Sequence, residues 1–131
     1  MKRYYVLISC LIVFLLTGCS EQTLTYEGES TNWRVIYKII QNEKEVRKQS
    51  VEIQSIGEIQ KSNITFKQTN PRGSGCEQYF DYDIKGDKEL IRGCLDEPLL
   101  DNKDDSFDVF IAWEGQEEKI VLKKNLKKQA N

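Results

Sequence analysis

Hydrophobic and polar residues alternate along most of the chain, which is the period of a half-buried β-strand. The alternation is clearest over 107–113, where Phe107, Val109, Ile111 and Trp113 share one face. Weaker alternation covers 32–40, 45–56, 62–68 and 119–123, and no segment carries a helical stripe longer than two turns. The pattern predicts an all-β domain, specifically a small antiparallel β-sandwich of immunoglobulin-like type with about seven strands.

Two tryptophans, Trp33 and Trp113, lie on the apolar faces of their predicted strands. One interpretation is a binding site, in which the indole rings stack on cell-wall sugars. The other is core packing, as in sandwiches where a buried tryptophan lies against a disulfide.

Two cysteines, Cys76 and Cys94, lie at equal distances along the chain from Lys85, where 84–87 has turn composition and Gly86 can adopt a positive φ. This spacing predicts an antiparallel hairpin closed at its open end by a Cys76–Cys94 disulfide, with Phe80 opposite Leu90. Such a ring would stabilise the fold by roughly 3 kcal/mol. In the alternative, the strands pair elsewhere and both thiols stay reduced.

The N-terminus has the order of a secretory signal peptide: a basic start at Lys2 and Arg3, then an apolar run over 6–16. The segment ends in Leu16-Thr17-Gly18-Cys19 and resembles the bacterial lipobox, whose cysteine is lipid-modified before cleavage. The apolar run is shorter than the roughly 20 residues of a membrane-spanning helix. We therefore expect Cys19 to carry lipid such as palmitate, at the extracytoplasmic face of the cell membrane, where disulfides persist.

These signals divide the chain into four parts. Residues 1–18 are the predicted signal peptide, and 19–23 are the lipidated cysteine with a tether that spans at most about 17 Å. Residues 24–124 are the predicted β domain, and 125–131 form a C-terminal tail. The domain is therefore expected to lie close to the membrane.

The charge balance excludes several function classes. The chain has 19 basic and 21 acidic residues, a formal net charge of −2 and no histidine. Mixed charge without a basic face argues against nucleic acid as a partner. The absence of histidine excludes Ser-His-Asp and Cys-His catalysis in their usual form and removes the commonest zinc ligand. We expect no metal and no cofactor.

Two charged segments remain open to interpretation. The acidic segment 95–108 can be a calcium loop or a solvated loop, and Lys103 together with the lack of glycine favours the latter. The basic tail 123–128 can be a solvated terminus or can attract anionic lipid, with each lysine contributing on the order of 1 kcal/mol.

Two patches, 28–35 (Gly-Glu-Ser-Thr-Asn-Trp-Arg-Val) and 113–118 (Trp-Glu-Gly-Gln-Glu-Glu), resemble those of small, uncharacterised lipoproteins of Gram-positive bacilli. Such lipoproteins carry a Ser-x-Asn-Trp patch early and a Trp-x-Gly-x-x-Glu hairpin late. The resemblance implies a membrane-anchored all-β domain and assigns no catalytic residues.

The function expected from these features is a non-enzymatic binding module at the cell surface. Its partner would be a surface protein, a peptide or a wall component, and the membrane would hold it through the lipid anchor. The alternative is a wall hydrolase that uses a pair of carboxylates. With 21 acidic residues in the chain, the sequence does not select such a pair.

Overall fold

The computed structural model describes residues 3–5, 8–9, 20–57, 62–71, 73–80, 88–100 and 104–126. Eight β-strands lie in this part of the chain: β1 (Gln22–Glu29), β2 (Trp33–Gln41), β3 (Val46–Ser55), β4 (Ile64–Gln68), β5 (Cys76–Phe80), β6 (Lys88–Ile91), β7 (Ser106–Trp113) and β8 (Gln116–Lys124). Among the described residues, no helix has the length and hydrophobicity needed to cross a membrane.

The strands form one antiparallel sheet in the order β5-β4-β7-β8-β1-β2-β3-β6, and the sheet curls into a half-barrel. The prediction of an all-β antiparallel fold is confirmed. The two-sheet sandwich of about seven strands is corrected, because all eight described strands belong to a single sheet. Alternation shows that one face of each strand is buried. It does not show whether that face packs on a second sheet or on the inner surface of its own curled sheet.

The core lies on the concave face of the half-barrel. The alternating residues point inward in register across neighbouring strands, as in the pairs Leu24–Ile39 and Tyr26–Tyr37 between β1 and β2. The same face continues through Phe66, which pairs with Ile111 across β4 and β7. All of these side chains are buried. Each strand therefore contributes one row of its alternation to a shared interior.

The half-barrel has two ends, which we name by what lies there. At the hairpin end are the turn between β1 and β2 and the two-residue turn between β7 and β8. At the strap end, β1 begins, β2 and β4 end, and the segment Arg92–Leu100, here called the strap, crosses the opening. Leu95 and Leu99 of the strap are buried in the same core cluster as the sheet.

The first strand was not expected. β1 begins at Gln22, inside the segment predicted to be tether, and only Leu24 and Tyr26 supply its apolar alternation. The strand is held on both sides, by β2 over its whole length and by β8 at Tyr26 and Glu27. Pairing to two neighbours thus defines a strand whose own hydrophobic pattern is short.

Candidate functional site

The predicted disulfide is present, and the turn of the hairpin predicted around it, 84–87, lies outside the described residues. Cys76 and Cys94 are bonded, with their Cα atoms 6.2 Å apart. The strands they were expected to close, β5 and β6, lie at opposite edges of the sheet, where β5 pairs with β4 and β6 with β3. The disulfide joins the two edges of the half-barrel.

A seam therefore runs between β5 and the end of β6. Beside the disulfide, Gln78 Nε2 of β5 donates a hydrogen bond to the carbonyl oxygen of Arg92 at 2.6 Å. No backbone ladder joins β5 to β6 within the residues that the structure describes. An open groove of about 460 Å³ lies along the seam and is lined by both cysteines, Gln78 and Arg92, among others.

Inward-facing glutamines hold the strap. Gln49 bonds both the amide and the carbonyl of Leu95, at 2.7 and 3.2 Å. Gln41 bonds both backbone groups of Leu99, each at 2.8 Å. Gln68 Oε1 accepts a hydrogen bond from the amide of Cys94 at 3.2 Å. A carboxamide that bonds N–H and C=O together takes the place of a neighbouring strand, so the strap's buried backbone is satisfied without a ladder.

The hydroxyl of Tyr37 lies at the centre of this network. It donates to Gln49 Oε1 at 2.5 Å and lies 3.1 Å from Gln68 Oε1. Burial raises the pKa of Tyr37 to about 12 from its ordinary 10.0, although the hydrogen bonds around the hydroxyl act in the opposite direction. Gly93 passes directly over the ring, where an added Cβ would lie 1.9 Å from the Tyr37 hydroxyl oxygen. The strap thus packs against Tyr37 through its bare backbone.

The two patches that carry the family resemblance meet at the hairpin end. Glu118 Oε1 accepts hydrogen bonds from Ser30 Oγ at 2.6 Å and from the amide of Asn32 at 3.0 Å. Its other oxygen accepts a bond from Asn32 Nδ2 at 2.5 Å. Glu118 of β8 therefore holds the turn between β1 and β2, even though its partners lie more than 80 residues earlier in the chain.

The two tryptophans lie next to the hydrogen bonds of Glu118 and contact each other. Their rings are 5.5 Å apart at the centroids, with an interplanar angle of 76°, an edge-to-face arrangement. The Trp33 side chain is fully buried and that of Trp113 is 4% exposed. The packing favours the core interpretation, because neither ring presents an open face on which a sugar could stack.

A second groove lies at the hairpin end, on the outside of β4, β7 and β8. It measures about 540 Å³ and is lined by Asn63, Thr65, Ala112, Trp113, Glu114, Gly115, Gln116 and Glu117. Glu114 and Gly115 form the turn between β7 and β8 with positive φ angles of 46° and 80°, as a type I′ turn requires. Two carboxylates and two amides therefore border an open surface, and the lining residues include no cation.

The acidic segment and the basic tail are only partly described. Asp104 is buried and its carboxylate accepts a hydrogen bond from the amide of Leu100 at 2.7 Å, so this acid stabilises the end of the strap. No group of metal ligands occurs among the described residues. Lys123 and Lys124 belong to β8. Residues 101–103 and 127–131, like Cys19 and the rest of 10–19, lie outside the described residues.

The residues that organise both ends escaped the sequence analysis, although a signal was present. Gln41 follows Ile39 and Gln68 follows Phe66 at a spacing of two, so both amides lie on the buried side of their strands. A polar residue at a buried position of an alternating strand needs a partner. Glu118 carried no such signal, because its contacts depend on how distant turns meet.

Comparison with known proteins finds no matching family model, no similar curated protein and no similar solved structure. The class of protein is therefore defined by the coordinates: an all-β half-barrel domain whose two sheet edges are joined by a disulfide.

Proposed function

We propose that this protein is an extracytoplasmic lipoprotein, anchored to the cell membrane through Cys19, whose half-barrel is a non-enzymatic binding module. The proposal is supported by the signal-peptide order of 1–18 and the lipobox-like ending at Cys19. The disulfide between Cys76 and Cys94 is in keeping with an oxidising compartment.

The position of β1 indicates which end of the half-barrel would face the membrane. Gln22 begins this strand only three residues after Cys19, which limits the distance between them to about 10 Å. Glu21 lies 3.8 Å from the Arg47 side chain of β3, so the chain leading to Cys19 lies at the strap end. On this proposal the strap end faces the lipid and the hairpin end faces away from it.

The groove at the hairpin end is then the surface offered to a partner. Glu114, Gln116 and Glu117 line it with exposed carboxylate and amide groups. Tyr79 lies beside it, 63% exposed, and its hydroxyl donates to Asn63 Oδ1 at 3.1 Å. Acidic and amide groups next to an aromatic ring suit a polar, positively charged segment of a peptide, a protein or a wall fragment.

The anchor is tested by cell fractionation. Wild-type protein is expected in the membrane fraction with its N-terminus at lipidated Cys19, and Cys19→Ala is expected to be released or to remain as the precursor. Equal membrane retention of the variant, with an uncleaved signal in both proteins, would reject the lipoprotein assignment.

The binding surface is tested by crosslinking in intact cells. A photo-crosslinking residue at Gln116 in the hairpin-end groove is expected to capture a stoichiometric partner, whereas one at Lys44 in the turn after β2, at the strap end, is not. Both positions are exposed, so they form a matched pair. Capture from position 44 alone would reverse the proposed orientation.

The hydrolase alternative is tested with carboxylate variants. Glu114 and Glu117 line one groove and are the carboxylates to test. Purified protein is expected to leave cell wall unchanged. Turnover of wall material that is abolished in Glu117→Gln but not in Glu43→Gln, an exposed acid at the strap end, would replace the binding module with an enzyme.

A further inference from the structure

The disulfide at the seam between the sheet edges lies in a surface groove, and a crosslink that only stabilised the fold would not need to lie there. The disulfide is the covalent bond between β5 and the strap, and both cysteines are partly buried. They line an open groove of about 460 Å³ on the surface, which is the route by which a small thiol would approach them. The disulfides that protect a fold from reduction are usually the inaccessible ones.

Besides the disulfide, the contacts that hold this seam among the described residues are hydrogen bonds made by side chains. Gln78 bonds the Arg92 carbonyl, and Asn70 Nδ2 bonds the Cys94 carbonyl at 2.8 Å. Ser74 Oγ and Asn70 Nδ2 bond Asp96 Oδ2 at 3.0 and 3.4 Å, and Gln68 Oε1 accepts a bond from the Cys94 amide. β5 is an edge strand of five residues and pairs with β4 alone among the described strands. The seam therefore depends on side-chain hydrogen bonds once the covalent bond is removed.

The strap is pinned unevenly along its length. At its start, Cys94 and Leu95 are held by the disulfide, Gln68 and Gln49. At its far end, Leu99 is bonded through both backbone groups to Gln41, which is buried. Loss of the disulfide would therefore loosen the start of the strap before its end.

We propose that the Cys76–Cys94 disulfide is a redox site that reacts with dithiols in the folded protein and acts as a latch on the strap. A dithiol thiolate attacks one sulfur of the disulfide, forming a mixed disulfide and releasing the other cysteine as a thiolate. The second thiol of the reagent then attacks the mixed disulfide. The reagent leaves as an oxidised cyclic disulfide, and the protein retains two thiols after protonation.

Reduction of the disulfide is expected to change mainly β5 and the start of the strap. β5 and the start of the strap separate, which uncovers the outer backbone edge of β5 and the groove beneath Arg92 and Gly93. An uncovered sheet edge offers N–H and C=O groups to a further strand. The six strands from β4 to β3 in the sheet order are expected to keep the ladders between them, because neither cysteine takes part in those pairings.

The experiment compares oxidised full-length protein with the same protein treated with dithiothreitol, without denaturant. The thiols are counted by alkylation and mass spectrometry, and amide exchange is followed by NMR. Both thiols are expected to become alkylatable while the ladder amides of Val35 and Ile53 exchange as before. Exchange at Leu95 is expected to rise at least about tenfold, with a smaller rise at Leu99.

Two variants keep the test independent of how the reduced protein folds. Cys76→Ser with Cys94→Ser should reproduce the pattern of the reduced protein. Gln49→Ala should raise exchange at Leu95, whose amide loses its acceptor, while both cysteines stay protected from alkylation by the intact disulfide. The proposal is overturned if reduction requires denaturant. It is also overturned if Val35 and Ile53 lose protection together with Leu95, or if exchange at Leu95 is unchanged by reduction.

Discussion

Removing the Glu118 carboxylate tests whether this single side chain joins the two patches at the hairpin end. Glu118→Ala deletes the acceptor for Ser30 Oγ, the Asn32 amide and Asn32 Nδ2, which lie 2.6, 3.0 and 2.5 Å from the carboxylate oxygens. The turn between β1 and β2 then loses these three hydrogen bonds to β8. We expect the fold to persist with lower stability, because the tryptophan pair and the strand ladders remain.

The expected loss of stability depends on how exposed the hydrogen bonds of Glu118 are. Hydrogen bonds to a charged group contribute about 1.5–3 kcal/mol each where they are buried. These bonds are partly buried, so water replaces part of each one, and about 1 kcal/mol per bond is appropriate. The expected loss is therefore about 3 kcal/mol, or roughly 10 °C in Tm for a domain of this size.

Urea and thermal unfolding, followed by circular dichroism, measure this loss. Glu117→Ala is the matched control, since it removes an exposed carboxylate one residue away and should change stability by less than about 0.5 kcal/mol. A double-mutant cycle of Glu118→Ala with Asn32→Ala should give a coupling energy of at least about 1 kcal/mol. Equal losses for the variants at 117 and 118 would refute the assigned role of Glu118.

Three further predictions concern single side chains. Because burial raises the pKa of Tyr37 to about 12 from 10.0, the unfolded chain loses this proton first. The free energy of unfolding should therefore fall by roughly 2 kcal/mol as the pH rises from 10 to 12. Tyr37→Phe should remove that fall and Tyr79→Phe should keep it, and parallel pH profiles for both variants would contradict the assignment. Glu114→Asn should raise stability by about 0.5–1 kcal/mol in urea unfolding, because asparagine tolerates the positive φ of the turn. A lower Tm would show that the bond from Ser62 Oγ to Glu114, 2.7 Å long, matters more. Trp113→Ala should cost about 3–5 kcal/mol as a core truncation, and a loss below 1 kcal/mol would favour a surface role.

The local part of the fold was predictable from the sequence. Alternation placed β2, β3, β4, β7 and β8 close to their observed bounds and assigned the buried face of each, as for Phe107, Val109, Ile111 and Trp113. The resemblance at 113–118 placed a hairpin at Glu114 and Gly115 as well. These features depend on residues only a few positions apart along the chain. A short stretch of sequence therefore contains all the information needed to predict them.

The arrangement of the strands was not predictable in the same way. Whether buried faces pack between two sheets or within one curled sheet depends on which strands pair, and β4 pairs with β7 across some forty residues. The cysteine pair illustrates the difference. Its spacing identified the right partners, whereas only the strand order shows that the bond connects the two edges of the sheet.

The sequence by itself determined the strand segments other than β1, their inward faces, one tight turn and the pairing of Cys76 with Cys94. Tertiary structure alone decided the single curled sheet, the strap held by glutamine side chains, and the meeting of Glu118 with Asn32. The physical reason is that side-chain period and turn composition are local properties of the chain. Closure of a sheet is a balance among many distant pairings, and no single segment encodes it.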